Sequence, residues 1–75
     1  MPLIQVTADE NSLGAEDRDA FISEISRAVL KAEGAPIDDS GANALVWAYY
    51  DALPTQTVYV GGKNISSPPM RINIT

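Results

Sequence analysis

The 75-residue chain contains neither cysteine nor histidine. The absence of cysteine excludes a disulfide framework, a thiolate metal site and a cysteine nucleophile. The absence of histidine excludes a Ser-His-Asp triad and an imidazole general base. Acid–base chemistry near neutral pH therefore falls to carboxylates, tyrosine, lysine or a terminal amine. We expect neither a metal site nor a cofactor.

Basic residues are few: five Lys and Arg stand against ten Asp and Glu, for a net charge of −5. The five are scattered and form no stripe that could follow a phosphate backbone, which argues against a nucleic-acid partner. No run approaches the roughly 20 apolar residues of a membrane span. The first residues lack the basic and apolar regions of a signal peptide. We therefore expect a cytoplasmic protein that does not bind membranes.

The length predicts one small domain over residues 1–75. A chain of this size buries only about 60–65% of its unfolded-state surface, so its stability is marginal without further support. Disulfides are not available, and 45% of the residues are hydrophobic. Self-association is the remaining way to stabilise the fold, since it buries additional apolar area between copies.

Apolar periodicity predicts one long helix, from Ala15 to Glu33. Phe21, Ile25 and Val29 recur at intervals of four and form one face of such a helix. Gly34 is a typical residue just beyond a helix end.

Four further segments are rich in strand-forming residues and are bounded by turn residues. We predict strands at Pro2–Thr7, Ala44–Leu53, Thr57–Gly62 and Met70–Thr75, with a turn-rich connector at 36–43 and a loop at 64–69.

This order predicts an α+β fold built on a β-α-β unit. Its two main strands are parallel, one helix covers one face of the sheet, and short strands follow at the carboxyl-terminal end. Trp47 and Tyr49 alternate with Ala48 and Tyr50, so the second main strand is apolar on both faces. The face without a helix is therefore expected to be covered by another copy.

The opening "MPLIQV" places a proline directly before an apolar strand. Removal of Met1 would leave Pro2 as an amino-terminal secondary amine. Burial of an amine disfavours its cation and lowers its pKa, which suits a general base near neutral pH. The alternative is a proline that is simply tolerated at the edge of a strand.

Four stretches together resemble the tautomerase superfamily, whose type member is 4-oxalocrotonate tautomerase. They are "MPLIQV", a helix ending in "EGAP", the strand "ALVWAYYDALP", and "TVYVGG". The stretch "DALPTQTVYVGG" is closest in pattern to the branch of cis-3-chloroacrylic acid dehalogenase. The resemblance implies a β-α-β fold assembled as a homohexamer, or as a trimer of fused tandem units. It also implies keto–enol tautomerisation of 2-oxo acids, with Pro2 as the catalytic general base and acid.

Family members usually hold the substrate carboxylate with arginines from the first loop and the second strand. Here the first loop reads "ADENSLG", and the second-strand position falls at or near Trp47. Arg71 is the best substitute, because a guanidinium can bind a carboxylate through two hydrogen bonds. Lys63 is a second candidate cation, and Arg18 is expected to be a solvated helix charge.

Three tyrosines are candidates for a hydrogen bond to an enolate oxygen: Tyr49, Tyr50 and Tyr59. Packing in the core or at an interface is the alternative role for each. We expect one of Tyr49 and Tyr50 to pack in the core and the other to reach an interface.

Three alternatives stay open. The chain could be a non-catalytic partner subunit of a tautomerase-fold oligomer, or it could use Pro2 as an acid in dehalogenase or decarboxylase chemistry. It could also be one half of a fused tandem unit, with "PPMRINIT" opening a second β-α-β repeat.

Overall fold

The computed structural model describes residues 2–75, which form five strands and two helices. In chain order these are β1 (Leu3–Asp9), α1 (Ala15–Ala32), α2 (Ser40–Asn43), β2 (Trp47–Leu53), β3 (Tyr59–Val60), β4 (Lys63–Asn64) and β5 (Arg71–Ile74). The predicted α+β class is therefore confirmed.

The main sheet has three strands in the order β2-β1-β5. β1 and β2 are parallel along their whole length, from Leu3 opposite Trp47 to Asp9 opposite Leu53. This parallel pairing is compatible with the predicted β-α-β unit. β5 pairs antiparallel to the other side of β1, with Ile4 opposite Ile74 and Thr7 opposite Arg71.

The core lies between α1 and one face of this sheet. Its buried centre consists of Ile4, Val6 and Val29, of which Ile4 is fully inaccessible to solvent. Phe21 and Ile25 of α1 pack against this centre, as their spacing predicts. Because alternate residues of a strand point to opposite faces, the even-numbered residues of β1 form the helix-covered face.

The end of α1 is a Schellman motif. Gly34 has φ +74°, its N–H donates to the Lys31 carbonyl at 3.1 Å, and the Ala35 N–H donates to the Leu30 carbonyl at 3.0 Å. Glu33 is the cap residue rather than the last helical residue, so the predicted helix is one residue too long. The glycine is required here because other residues rarely adopt a positive φ.

We expect Gly34→Ala to lower the free energy of unfolding by about 1 kcal/mol, since alanine is strained at positive φ. An added Cβ meets nothing within 4 Å, so the loss comes from the backbone alone. Urea unfolding followed by circular dichroism measures it. Gly34→Asn is the matched control and should lose less, because asparagine tolerates this conformation. Equal losses for both variants would contradict the assignment to backbone strain.

The connector before β2 is more ordered than predicted, and the predicted strand at Ala44–Leu53 begins three residues too early. Asp39 caps α2 by accepting a hydrogen bond from the Ala42 N–H at 2.9 Å. Ala44 then serves as the cap residue at the other end, which delays the start of β2 to Trp47.

The prediction of a strand at Thr57–Gly62 followed by a loop is wrong in part. Gly61 and Gly62 have φ +60° and +79°, which is the conformation of a tight two-residue hairpin turn. The chain therefore folds back, and Val60 pairs with Lys63 in a separate two-stranded sheet.

The bounds of β1 and β5 also differ from prediction. β1 runs two residues past the predicted Thr7, because its pairing with β2 continues to Asp9 opposite Leu53. β5 is shorter than the predicted Met70–Thr75 by one residue at each end.

The face of the sheet opposite α1, here called the open face, is only partly apolar. Trp47 and Tyr49 lie on it, 53% and 57% exposed. The rest of the strands present polar side chains to it, because their positions alternate with the core residues: Gln5, Thr7, Asp51, Arg71 and Asn73. The prediction of an apolar second face therefore holds only at the end of the sheet near Trp47.

Within residues 2–75, no helix has both the length and the apolar character needed to cross a membrane.

Candidate functional site

Pro2 lies directly before β1 and is buried. Its carbonyl accepts a hydrogen bond from the Trp47 N–H at 3.2 Å. The next residue, Leu3, exchanges two backbone hydrogen bonds with Thr75, at 3.1 and 3.0 Å. The start of β1 is thus held on both sides, by β2 and by the residue after β5. The Pro2 carbonyl and the backbone of Leu3 are therefore fixed by the sheet.

Trp47 is the β2 residue nearest to Pro2 in the hydrogen-bond pattern. Its indole N–H donates to the Ala44 carbonyl at 3.2 Å, which fixes the ring beside the start of β1. The side chain is nevertheless half exposed. This is the position at which the resemblance predicts an arginine, and indole offers one neutral N–H donor in place of a guanidinium fork. That donor is already used by Ala44.

The register of the sheet sets how far the other candidates lie from Pro2. The third, fourth and fifth residues after Pro2 are paired with Tyr49, Tyr50 and Arg71, in that order. At 3.3 Å per residue these positions lie about 10, 13 and 17 Å along β1. One chain therefore does not bring Arg71 to Pro2.

Arg71 instead lies in a polar groove on the open face, beside β1. The groove has a volume of about 170 Å³ and is lined by Gln5, Thr7, Arg71 and Asn73. Arg71 stands opposite Thr7, and Asn73 stands opposite Gln5. Guanidinium, amide and hydroxyl groups all donate hydrogen bonds, so this groove suits a carboxylate or a similar oxyanion. We call it the Arg71 groove.

The Arg71 guanidinium has no carboxylate within 4 Å among residues 2–75. The salt bridge formed in this part of the chain joins Arg27 to Asp38 at 3.9 Å, and both side chains are largely exposed. The positive charge of Arg71 is therefore not neutralised by a protein group in the described residues.

Tyr49 lines a second groove on the other side of β1, about 360 Å³ in volume. Both grooves are lined by Gln5 and Thr7, and the groove beside Tyr49 is also lined by Asp51 of β2. Tyr49 reaches the open face with 57% of its surface exposed, as expected for the tyrosine that does not pack in the core. Its hydroxyl is free to donate a hydrogen bond to a bound oxygen.

Tyr50 is the tyrosine that packs in the core. Its hydroxyl is buried and has no hydrogen-bond partner among the described residues. The Arg18 guanidinium lies 5.5 Å from the ring centroid, within cation–π range. Arg18 is partly exposed, and it also packs over this tyrosine ring, a contact that the sequence did not predict.

Tyr59 and Lys63 lie on the β3–β4 hairpin, outside the main sheet. Both are exposed, and neither is among the residues that line the Arg71 groove or the groove beside Tyr49. The predicted substrate-binding set is therefore distributed over three places: the open face, the core and the hairpin.

Sequence reasoning missed Gln5, Thr7 and Asn73. Their signal is the alternation of polar with apolar residues in "LIQVT" and "RINI", which places the polar ones together on the face away from α1. Met1, whose removal the proline hypothesis requires, lies outside the described residues. In residues 2–75 no group of three or more acidic side chains is arranged to hold a metal ion.

Comparison of the chain with protein-family models, with curated proteins and with solved structures gives no match.

Proposed function

We propose that this protein is a cofactor-independent tautomerase that uses Pro2 as its general base and acid. The observation that supports the proposal best is the position of Pro2, buried at the anchored start of β1. An amine in such a place keeps a fixed direction and loses hydration of its charged form. The loss of hydration favours a neutral amine that can accept a proton, and the fixed direction favours its positioning for that transfer.

The proposed reaction moves one proton and leaves the overall composition unchanged. The neutral nitrogen of Pro2 takes the proton from the carbon next to the carbonyl of a 2-oxo acid, and an enolate forms. The protonated nitrogen then returns the proton at the other end of the enolate system. In the reverse sense, an enol is converted to its ketone.

The substrate carboxylate is assigned to the Arg71 groove of a neighbouring copy. Within one chain Arg71 and Pro2 are separated by about 17 Å along β1, too far for a small 2-oxo acid to bridge. A trimer or hexamer in which the Pro2 end of one copy meets the Arg71 groove of the next would close this gap. Tyr49, Tyr59 or Lys63 of either copy could then assist the enolate oxygen, whereas Tyr50 is held in the core.

Self-association is supported by apolar surface that α1 leaves uncovered. Seven large apolar side chains are between 44% and 64% exposed, and they lie on β2, β3, β5 and the segment before β2. The radius of gyration is 14.4 Å. A compact chain of this length has a radius of about 11 Å. Packing of copies against one another would cover these side chains.

Two measurements test the proposal directly. Intact-mass analysis of the purified protein should show the loss of one methionine, because only a processed chain has a free nitrogen at Pro2. Ketonisation of phenylenolpyruvate, followed by ultraviolet absorbance, should proceed faster than the uncatalysed reaction in buffer. A fully processed oligomer that does not accelerate ketonisation of this substrate or of other enol acids would favour the alternative of a non-catalytic partner subunit.

A complementation experiment tests the shared site. We expect Pro2→Ala and Arg71→Gln to be separately inactive and their mixture to regain activity. A site built from Pro2 of one variant and Arg71 of the other is native, and random mixing restores about a quarter of the sites. The steady-state ketonisation rate of the dissociated and reassembled mixture measures this recovery.

The control is a mixture of Pro2→Ala with the Pro2→Ala/Arg71→Gln double variant, which contains no Pro2 and should stay inactive. Failure of the first mixture to recover, with mixed oligomers demonstrated by mass spectrometry, would exclude Arg71 as a residue contributed by a neighbour.

A further inference from the structure

A second groove of ligand size lies at the opposite end of β1 from Pro2, about 23 Å away along the strand. Its volume is about 320 Å³, within the usual range of small-molecule sites. It forms where the loop after β1 meets the loop before β5. We call it the Asp9 groove, and its lining residues are Asp9, Asn11, Ser12, Ser66, Ser67 and Pro68.

Asp9 is the unusual residue of this groove. It is only 8% exposed, although carboxylates are rarely buried without a partner of opposite charge. One carboxylate oxygen, Oδ2, accepts a hydrogen bond from the Asn11 N–H at 2.9 Å. No lysine or arginine forms a salt bridge with Asp9 within residues 2–75. The negative charge is therefore held in the wall of a groove without a cation from the described chain.

The loop that carries Asp9 is held in one conformation. The Glu10 N–H donates to the Leu53 carbonyl at 2.8 Å, and the Ser12 N–H donates to the Asp9 carbonyl at 3.0 Å. The Asn11 side-chain N–H donates to Thr55 Oγ1 at 2.9 Å, and that hydroxyl donates to Glu10 Oε1 at 2.8 Å. The groove is thus preformed on this side.

These bonds determine which polar atoms remain for a ligand. The side-chain Nδ2 of Asn11 donates to Thr55 Oγ1, so the side-chain Oδ1 is left as an acceptor. Asp9 contributes Oδ1, which is also an acceptor, and the serine hydroxyls can donate or accept. A site rich in acceptors and negative charge requires a donor with positive charge.

We propose that the Asp9 groove binds the primary ammonium group of a small organic cation, with the ammonium donating to Asp9 Oδ1 and Asn11 Oδ1. An adjacent hydroxyl on the ligand would meet Ser66 or Ser67. An ammonium supplies three donors and one charge, which matches the acceptors present. A metal ion fits less well, since residues 2–75 provide no cluster of three acidic ligands here. This site does not depend on the proposed tautomerase activity.

The test is a titration of ¹⁵N-labelled protein with ethanolammonium, followed by two-dimensional NMR. We expect saturable shifts in the amide signals of Asn11, Ser12, Ser66 and Ser67. Tetramethylammonium, which has the charge without the donors, and ethylene glycol, which has hydroxyls without the charge, should each bind at least about tenfold more weakly. Equal shifts with tetramethylammonium, or stronger saturable shifts with Ca²⁺, would overturn the proposal.

Two substitutions that each remove one negative charge distinguish binding at this site from a general effect of the protein's charge. Asp9→Asn should raise the Kd for ethanolammonium by about tenfold or more, because it removes the charge-assisted hydrogen bond. Asp19→Asn, the same substitution at an exposed position on α1 outside the groove, should change it by less than about twofold, as expected for a screened surface charge. Equal effects would overturn the assignment. If Asp9→Asn does not fold, the comparison of ethanolammonium with tetramethylammonium and ethylene glycol on the unchanged protein still tests the proposal.

Discussion

Pro2→Ala is expected to lower kcat/KM for ketonisation of phenylenolpyruvate by about 100-fold or more, the usual contribution of a positioned general base. Alanine still permits removal of Met1, so an amino-terminal amine is retained. It lacks the ring that is buried at the start of β1 in the unchanged protein. The resulting primary amine is freer to rotate, so it is less well positioned to take the proton from the substrate. Steady-state kinetics over a range of pH measure the loss.

The sharpest control changes no side chain. Protein that retains Met1, prepared with the methionine aminopeptidase inhibited, is identical to the processed protein from Pro2 onward, but its Pro2 nitrogen is a tertiary amide without basicity. It should be inactive while keeping the same circular dichroism spectrum and the same sedimentation behaviour. Activity equal to that of the processed protein would rule out Pro2 as the proton carrier, whatever the result for Pro2→Ala.

The pH profile gives an independent check on the same group. A general base works only when unprotonated, so the rate should rise with pH through the pKa of the Pro2 amine and then level off. A rate that falls as pH rises through this region would indicate an acid in the forward step. Such a profile would contradict the assignment of Pro2 as the general base in ketonisation.

The parallel pair at the centre of the fold could be predicted from the sequence because its cause is local and strong. A strand followed by an 18-residue amphipathic helix and a second strand leaves few alternatives to a parallel crossover. The alternation of Trp47 and Tyr49 with Ala48 and Tyr50 likewise predicted that one of the two tyrosines enters the core, and the structure identifies it as Tyr50. The hairpin was missed because two-residue strands carry little periodicity, and the conformation of Gly61 and Gly62 decides the turn.

The site was less predictable, because it depends on contacts between distant parts of the chain. Nothing in "MRINIT" states that β5 pairs with β1 rather than with β2, yet this pairing places Arg71 beside Thr7 and away from Pro2. The Asp9 groove needs a loop at residues 9–12 to meet one at 66–68. Local sequence patterns do not encode such encounters, so the groups with strong local signals, Pro2 and the tyrosines, were found first.

Ile4→Ala should have the largest effect on stability. Ile4 is fully buried at the centre of the core, between Val6 and Val29. Removing its side chain costs the lost burial and leaves a cavity, together about 2–5 kcal/mol. A 75-residue domain has a total free energy of unfolding of about 4–11 kcal/mol, so about half of it would be lost at corresponding points of the two ranges. Urea unfolding followed by circular dichroism measures the change.

Ile74 provides the matched control, because it stands directly opposite Ile4 on β5 and faces the same side of the sheet. It is 49% exposed, so Ile74→Ala should cost only about 1 kcal/mol in a single chain. If both substitutions cost the same, Ile74 is buried in solution by something other than the described chain. A dependence of the Ile74→Ala loss on protein concentration would identify that cover as a second copy, since binding between copies stabilises the folded state by mass action. A loss independent of concentration and close to 1 kcal/mol would place the oligomer interface elsewhere than on the face of β5 that carries Ile74.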